Sequence, residues 1–259
     1  AAAVPAVLGT SSISWTWGAM PFGDAPVPSR GYRIFPSTST APLGAPELAI
    51  AGVTPGATTT ALTPNTTYSR YVTAYTDWGD SLPSNVVSTH TLASAPGAAS
   101  PAFSAMAATS LSVSWTDGAP DNPSYTRYEL NSALDSLFSA GVSTGFVIGL
   151  SSSPAGLAPN TTYYFRARAV NLDGVASAYA ASLATATLAA APVSPAFGTV
   201  YVTSAAFVWS GGANPPGTQY VAEVSSDNFL SPGKRAAAHK FHEDEEEHGT
   251  HENEEGDGE

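Results

Sequence analysis

The sequence contains no cysteine, and this absence removes several classes of chemistry at once. Disulfide bonds, cysteine-ligated zinc, iron–sulfur clusters and thiol nucleophiles are all excluded. No apolar run approaches the ~20 residues that a membrane-spanning helix needs, so no membrane span is expected. The lack of cysteine does not fix a compartment, but it is compatible with an exported bacterial protein whose domains fold without disulfides.

Charge is also scarce, and basic charge is the scarcest. Charged residues make up 12% of the 259 residues, with nine Lys and Arg against 21 Asp and Glu. Nucleic acids and anionic membrane surfaces require clustered Lys and Arg, so binding to either is not expected. Apolar residues reach 43%, which is enough for packed cores and argues against wholesale disorder.

What the sequence does contain is an internal repeat. Residues 101–115 begin with Pro-Ala-Phe and end with Trp, and residues 195–209 repeat both features. Residues 62–68, Leu-Thr-Pro-Asn-Thr-Thr-Tyr, return as residues 157–163, Leu-Ala-Pro-Asn-Thr-Thr-Tyr. An earlier copy of the tryptophan segment is Ile13-Ser-Trp15. Because the markers keep their order and near-constant spacing, they indicate tandem domains.

Within each copy, apolar and polar residues alternate in the manner of half-buried β-strands. Leu111, Val113 and Trp115 fall on one face, with serines between them. Gly, Pro, Asn and Asp interrupt the pattern at intervals of roughly 8–12 residues, which is typical of a sandwich or barrel. No helical stripe is evident. The pattern therefore predicts an all-β protein.

The block from Leu157 to Gly174 resembles the strand E–F corner and strand F of fibronectin type III domains. This resemblance implies tandem immunoglobulin-like antiparallel β-sandwiches. It also implies structural roles for a strand B tryptophan, a strand C tyrosine and a corner tyrosine in each copy. The matching positions are Trp15, Trp115 and Trp209 for the tryptophan, Tyr32, Tyr128 and Tyr220 for strand C, and Tyr68 and Tyr163 for the corner.

The repeat also predicts the domain boundaries. We expect module 1 at 1–92, a linker at 93–100, module 2 at 101–188, a linker at 189–194, a partial module 3 with strands A–C only at 195–232, and an acidic, His-rich tail at 233–259. The linkers are short and contain proline, which predicts stiff junctions. Half a sandwich would expose its inner face. A partner could complete it, the chain could continue, or truncation or a frameshift could end it; truncation is the favoured interpretation, with the chain a fragment of a longer one.

The tail suggests a metal site at first sight. Four of the five histidines lie there among ten carboxylates, and imidazole with carboxylate suits Zn, Ni or Cu, or Ca through the acids. The candidate ligands are His239, His242, His248 and His251. Their spacing matches no rigid site, and blocks of like charge repel, so the favoured interpretation is a disordered tail. Out-of-frame translation is a further alternative, and no cofactor is expected.

Catalytic patterns find no supporting context. Residues 141–145 satisfy Gly-x-Ser-x-Gly, which marks a nucleophile only on a strand-to-helix turn of an α/β sheet. Here the pattern falls in an antiparallel module before strand E, so we predict that the protein is not an enzyme. Asn65 and Asn160 stand in formal glycosylation sequons, but both lie inside the repeated corner, where the fold already accounts for them.

One exposed-looking aromatic is the main binding candidate. Trp78, flanked by Asp77 and Asp80, falls in the turn between strands F and G, and an exposed Trp can stack on a sugar or anchor a protein. The alternative is that Trp78 folds back over the end of its module.

Three functional hypotheses remain open, and in each the partner is an unidentified protein or glycan. The first is a structural or adhesive spacer or display region of an extracellular or cell-surface bacterial protein. The second is an accessory or carbohydrate-binding region of a secreted polysaccharide-degrading enzyme. The third is an assembly subunit whose incomplete third module is finished by a neighbouring chain.

Overall fold

A computed structural model of the chain describes residues 3–23, 30–36 and 45–223, and the backbone of 239–241. Every regular element in these residues is a β-strand, and each strand pairing is antiparallel. The described part of the chain contains no helix with the length and hydrophobicity needed to cross a membrane. The prediction of an all-β fold is confirmed.

The first sandwich is built from eight strands in two sheets. Strands β1, β2 and β5 pair in that order, and β4, β3 and β6 form the other sheet, in which β7 and β8 both pair with β6. This is the A-B-E and C′-C-F-G arrangement of a seven-stranded sandwich with a divided last strand. The strands are β1 (Val4–Val7), β2 (Ile13–Thr16), β3 (Arg30–Pro36), β4 (Leu48–Ala51), β5 (Gly56–Thr59), β6 (Thr67–Thr76), β7 (Gly79–Asp80) and β8 (Val87–His90).

The second sandwich repeats the arrangement. Strands β13, β10 and β9 form one sheet, and β12, β11, β14 and β15 form the other. The strands are β9 (Ala98–Ser104), β10 (Ser112–Trp115), β11 (Arg127–Ala133), β12 (Ser143–Ile148), β13 (Ser151–Ser152), β14 (Thr162–Val170) and β15 (Leu183–Ala186). Three residues of the predicted linker, 98–100, therefore belong to β9.

The cores follow from the alternation in the sequence. Along β2 the buried residues are Ile13 and Trp15, both 0% exposed, whereas the residues between and after them are not buried. In the second sandwich Val113 and Trp115 are buried in the same way, and the ring of Phe165 in β14 lies 5.8 Å from the Phe103 ring. Because successive side chains of a strand point to opposite faces, one apolar set per strand is enough to build each core.

Four further strands follow. β16 (Val193–Val200) and β17 (Ala205–Ser210) pair as a hairpin, and β18 (Tyr220–Ala222) pairs with β19 (His239–Phe241). By the repeat, β16 and β17 correspond to β9 and β10. Unlike them, β16 is exposed along its whole length, and Phe197 and Phe207 are 72% and 44% exposed. The predicted end of module 3, residues 224–232, lies outside the described residues.

Contacts divide the chain into two compact units. The first holds Ala1–Ser104, Ser112–Pro154 and Tyr163–Thr185; the second holds Ala105–Leu111, Ala155–Thr162 and Ala186–Glu259. The first unit thus contains the first sandwich and, apart from Thr162 and Ala186, all seven strands of the second. The second unit contains the A–B turn and the E–F corner of the second sandwich together with β16 to β18.

Candidate functional site

The predicted binding residue Trp78 lies at the tip of a hairpin. Thr76 of β6 pairs with Gly79 of β7, so Asp77 and Trp78 are the two central residues of a tight turn, and Gly79 adopts a φ of +124°. Trp78 is 97% exposed, so its indole is not packed over the end of the sandwich. Leu82, four residues later, is 91% exposed. The F–G turn thus presents two large apolar side chains to solvent.

Asp80, the second predicted carboxylate, is engaged within the sheet. It forms an ion pair with Arg33 of β3 and accepts a hydrogen bond from the Thr73 hydroxyl at 3.3 Å. The Arg33 guanidinium also lies over the Tyr75 ring, 4.3 Å from its centroid. Three neighbouring strands bring these residues together on one face of the sheet. The contact could not be read from the sequence, because the residues are far apart along the chain. The Asp80 carboxylate is therefore bound by residues of its own sheet. Of the two predicted carboxylates, Asp77 is the one that lies beside Trp78 in the turn.

The metal prediction falls almost entirely outside the described residues. Of the four tail histidines, His239 is described only through its backbone in β19, and His242, His248 and His251 are not described. Within the described ranges, no group of three or more His, Asp or Glu residues is placed to hold a metal ion.

The predicted core tryptophans occupy equivalent places but differ in burial. Trp15 is fully buried and its indole N–H donates to the Thr59 hydroxyl at 3.0 Å, and Trp115 is 4% exposed. Trp209, in contrast, is only half-buried. The ring of Trp115 lies 5.8 Å from that of Tyr128, and the ring of Trp209 lies 5.9 Å from that of Tyr220. The strand B–strand C pair is thus present in β17 and β18, but its tryptophan is less buried than Trp115 of the second sandwich.

The remaining landmarks lie as follows. Tyr32 is 1% exposed, and its hydroxyl accepts a hydrogen bond from the Met20 backbone N–H at 2.9 Å. The hydroxyl of the corner residue Tyr68 accepts one from the Thr63 N–H at 2.8 Å. Tyr163 is half-buried, with its ring centroid 6.4 Å from that of Phe165.

A cluster that the sequence did not single out centres on Asn65, in the corner of the first sandwich. Asn65 is 1% exposed and has a φ of +46°, a left-handed conformation that Asn tolerates better than most residues. Its amide nitrogen donates to the Thr126 hydroxyl at 2.8 Å, and its amide oxygen accepts from the Leu172 N–H at 2.8 Å. Its backbone carbonyl accepts from the Tyr125 hydroxyl at 2.9 Å. Asn65 therefore binds the second sandwich through three separate groups.

Asn122, in the B–C loop of the second sandwich, holds the linker. Its amide oxygen accepts from the Ser94 N–H and its amide nitrogen donates to the Ser94 carbonyl, both at 2.8 Å. Ser94 is 3% exposed. A hydrogen bond between His90 Nδ1 and Asp173 Oδ1, 2.7 Å apart, lies at the edge of the same cluster. We call this set of contacts the first junction.

The second unit contains a second junction with the same chemistry. The Asn160 amide nitrogen donates to the Thr218 hydroxyl at 3.0 Å. Asn214 pairs with both backbone groups of Ala190, at 2.7 and 2.8 Å. Four residues of the first junction thus have counterparts of the same role: Asn65 and Asn160, Thr126 and Thr218, Asn122 and Asn214, Ser94 and Ala190.

The sequence did carry a signal for these junctions. Residues 122–128 read Asn-Pro-Ser-Tyr-Thr-Arg-Tyr and residues 214–220 read Asn-Pro-Pro-Gly-Thr-Gln-Tyr, a shared Asn-Pro-x-x-Thr-x-Tyr. Turn chemistry alone explains Asn and Pro in a loop, so the motif did not stand out. The two sequon asparagines, Asn65 and Asn160, prove to have their amide nitrogens engaged in these junctions.

The sheet order, the tryptophan–tyrosine pairs and the E–F corner define the class: the chain consists of tandem fibronectin type III-like β-sandwiches. No protein-family model and no curated protein matches the sequence. Among solved structures, it is similar to a two fibronectin type-III domain segment from chicken tenascin, with 16% identity and a TM-score of 0.46 over 71% of this chain and 97% of that one. It is also similar to the chicken CNTN1 FN1-FN3 domains, with 16% identity and a TM-score of 0.31 over 80% of this chain and 65% of that one.

Proposed function

We infer that this chain is a non-catalytic spacer or display region of an extracellular or cell-surface protein. The observation that supports this most is the first junction, in which the link between two sandwiches is buried and hydrogen-bonded. Ala93 and Ser94 are each 3% exposed, and Thr91 just before them is 0% exposed. A spacer needs this property, because a mobile linker would let the sandwiches reorient and would not hold what they carry at a set distance.

The hydrogen bonds at the first junction are strong enough to hold the linker in one conformation. Asn122 satisfies the N–H and the carbonyl of a buried residue, and leaving such groups without partners costs about 1–3 kcal/mol each. These bonds restrict the conformations of the linker and fix it against the second sandwich. The low charge and the absence of cysteine fit an exported protein of this kind, as the sequence predicts.

Backbone nitrogen relaxation and residual dipolar couplings of the full chain test the spacer. If the junction is rigid, the first two sandwiches share one alignment tensor and one rotational correlation time. Asn122→Ala should give each sandwich its own tensor, whereas Asp121→Asn, a change of the exposed neighbour, should not. Separate tensors in the unaltered chain would refute the proposal.

A second candidate function is ligand capture at the F–G turn, in a carbohydrate-binding or accessory region of a secreted polysaccharide-degrading enzyme. It is favoured by the 97% exposure of Trp78 beside Asp77 and the 91% exposure of Leu82. A glycan array probed with the full chain and with Trp78→Ala tests it. Binding that disappears with Trp78→Ala supports this function, and a blank array for the unaltered chain removes it.

A third candidate is an assembly subunit in which a neighbouring chain covers β16 and β17. It is favoured by a groove of about 350 Å³ lined by Phe207, Trp209, Tyr220 and the preceding prolines Pro192 and Pro195. Size-exclusion chromatography with light scattering tests it. A concentration-dependent dimer that Phe207→Ser abolishes supports it, and a monomer at all concentrations refutes it.

A further inference from the structure

The two junctions share their partners although the chain between those partners differs in length. Asn65 and Thr126 are 61 residues apart, whereas Asn160 and Thr218 are 58 apart. The hydrogen bond between them is preserved, at 2.8 and 3.0 Å. The contact is therefore specified by the residues that meet and not by a fixed sequence separation.

One half of the contact is the corner, residues 62–68 and 157–163. Each corner is braced by the end of its own last strand. The Asn65 N–H donates to the Leu92 carbonyl, and the Asn160 N–H donates to the Leu188 carbonyl, at 3.1 and 3.0 Å. Both asparagines have a positive φ, of +46° and +44°. The corner thus presents its Asn side chain in a fixed direction, at the point where the linker begins.

The threonines at the strand ends duplicate this brace. The Thr91 hydroxyl accepts from the Thr66 N–H and donates to the Thr63 carbonyl, at 3.0 and 2.7 Å. The Thr187 hydroxyl accepts from the Thr161 N–H and donates to the Ala158 carbonyl, at 3.1 and 2.7 Å.

The other half is the B–C loop of the following sandwich, residues 122–128 and 214–220, which we call the docking loop. Its Asn holds the linker backbone and its Thr receives the corner Asn. The Thr itself is positioned by a turn, since Thr126 N–H donates to the Pro123 carbonyl and Thr218 N–H to the Pro215 carbonyl, at 2.9 and 3.3 Å. The Asn, the Pro and the Thr of the motif therefore each have a structural task at the contact.

The variable positions of the loop adjust how tightly the contact closes. Tyr125 caps the Asn65 carbonyl in the first junction, and Gly217 takes its place in the second. Leu172, which donates to the Asn65 amide oxygen, has no counterpart in the described residues of the second unit. In agreement with this, Asn65 is buried and Asn160 is exposed.

The first sandwich carries a corner, but the sequence before its strand C tyrosine, Tyr32, is not Asn-Pro-x-x-Thr-x. The strand C tyrosines Tyr128 and Tyr220 follow the loop Asn by six residues and the loop Thr by two. At the same offsets before Tyr32 stand Pro26 and Arg30.

We propose that the corner and the docking loop are complementary halves of a directional module-docking interface, whose partner is a further sandwich that carries Asn-Pro-x-x-Thr-x-Tyr. This proposal rests on the proposed spacer function, and it specifies how the order of the sandwiches along the chain is set. A sandwich that has both halves can bind the preceding sandwich through its docking loop and the following sandwich through its corner. The first sandwich carries the corner half and can be followed through it.

Hydrogen exchange of two amides in the full chain reports on the contact. The Ser94 N–H is bound by Asn122 and the Leu172 N–H is bound by Asn65, so both are protected only when the interface is closed. Thr126→Val removes the hydroxyl and keeps the shape. We expect both amides to exchange roughly tenfold faster or more, Ser94 included, although Ser94 does not contact Thr126. A purely local role of Thr126 would leave Ser94 unchanged and would overturn the proposal.

The matched control is Thr144→Val, which removes another Asn–Thr side-chain hydrogen bond, from Asn131 within the second sandwich. It should leave the exchange of Ser94 and Leu172 unchanged. Equal acceleration in this variant would mean that general destabilisation, and not the interface, governs the two amides, and would count against the proposal.

Exchanging the loop tests whether the motif is transferable. Residues 122–128 are replaced by the sequence of residues 214–220, which keeps the motif and alters the rest. Protection of the Ser94 amide should survive, and that of Leu172 should fall because the Tyr125 cap is lost. If Ser94 loses protection as well, the motif alone is insufficient and this inference fails while the spacer stands. If both amides are unprotected in the unaltered chain, the spacer function fails with it.

Discussion

Glu129 shows how single residues on an outer sheet face stabilise the second sandwich. It lies on β11, is 7% exposed, and accepts hydrogen bonds from Arg168 at 2.9 and 3.0 Å and from the Tyr179 hydroxyl at 2.9 Å. Burial raises the pKa of the Glu129 carboxyl, but the bonds from Arg168, Tyr179 and Asn131 together outweigh burial and lower its pKa below the usual value. The ionised form is therefore the one that the folded state prefers.

The direction of this shift predicts an acid-sensitive second sandwich. A carboxyl whose folded pKa is lowered stabilises the fold above its unfolded pKa, about 4.3 for Glu, and this stability is lost as pH falls through the folded value. We expect Glu129→Gln to lower the free energy of unfolding by about 1–3 kcal/mol at pH 7 and to flatten its decline below pH 4. Urea unfolding followed from pH 7 to pH 2 measures both. Asp121→Asn, at an exposed carboxylate, is the control, and an equal effect there would contradict the assignment.

Among the elements, strands β10 and β17 form a natural comparison, because the repeat gives both the same tryptophan. Trp115 is 4% exposed, whereas Trp209 is half-buried. Removing a fully buried Trp costs about 3–5 kcal/mol, and removing a partly exposed one costs less because its ring packs against fewer neighbours. We therefore expect Trp115→Ala to lower the melting temperature of its sandwich far more than Trp209→Ala lowers any transition. Differential scanning calorimetry of the full chain measures this, and equal shifts would mean that Trp209 is covered in solution.

The strands were the most predictable elements because a period of two in the sequence directly encodes one buried face. Trp15, Trp115 and Tyr128 could be placed on strands from alternation and the repeat, and the resemblance to fibronectin type III domains implied their structural roles. The ion pair of Arg33 with Asp80 could not, because it joins residues 47 positions apart that only the sheet register brings together. The Asn65–Thr126 contact was hidden for the same reason, and each residue alone reads as ordinary turn chemistry.

At the scale of the whole molecule, the two junctions should differ in their resistance to proteolysis. Cleavage requires a linker to detach from its hydrogen-bond partners and enter a protease in extended form. Ala93 and Ser94 are each 3% exposed, whereas Ala189 in the second linker is exposed. The first linker also has an exposed alanine, Ala95, but its neighbours Ala93 and Ser94 are buried, whereas Ala189 and Ala191 of the second linker are both exposed.

We expect elastase, which cleaves after small residues, to cut the native chain near residues 189–191 well before it cuts near 93–96. Mass spectrometry of a digestion time course identifies both sites. Asn122→Ala should accelerate cleavage near 93–96 and leave the rate near 189–191 unchanged, because it releases Ser94 and does not contact the second linker. Asn214→Ala should do the reverse by releasing Ala190. Early cutting near residues 93–96 in the unaltered chain would show that the first junction opens readily, because a closed junction keeps those bonds out of the protease's reach.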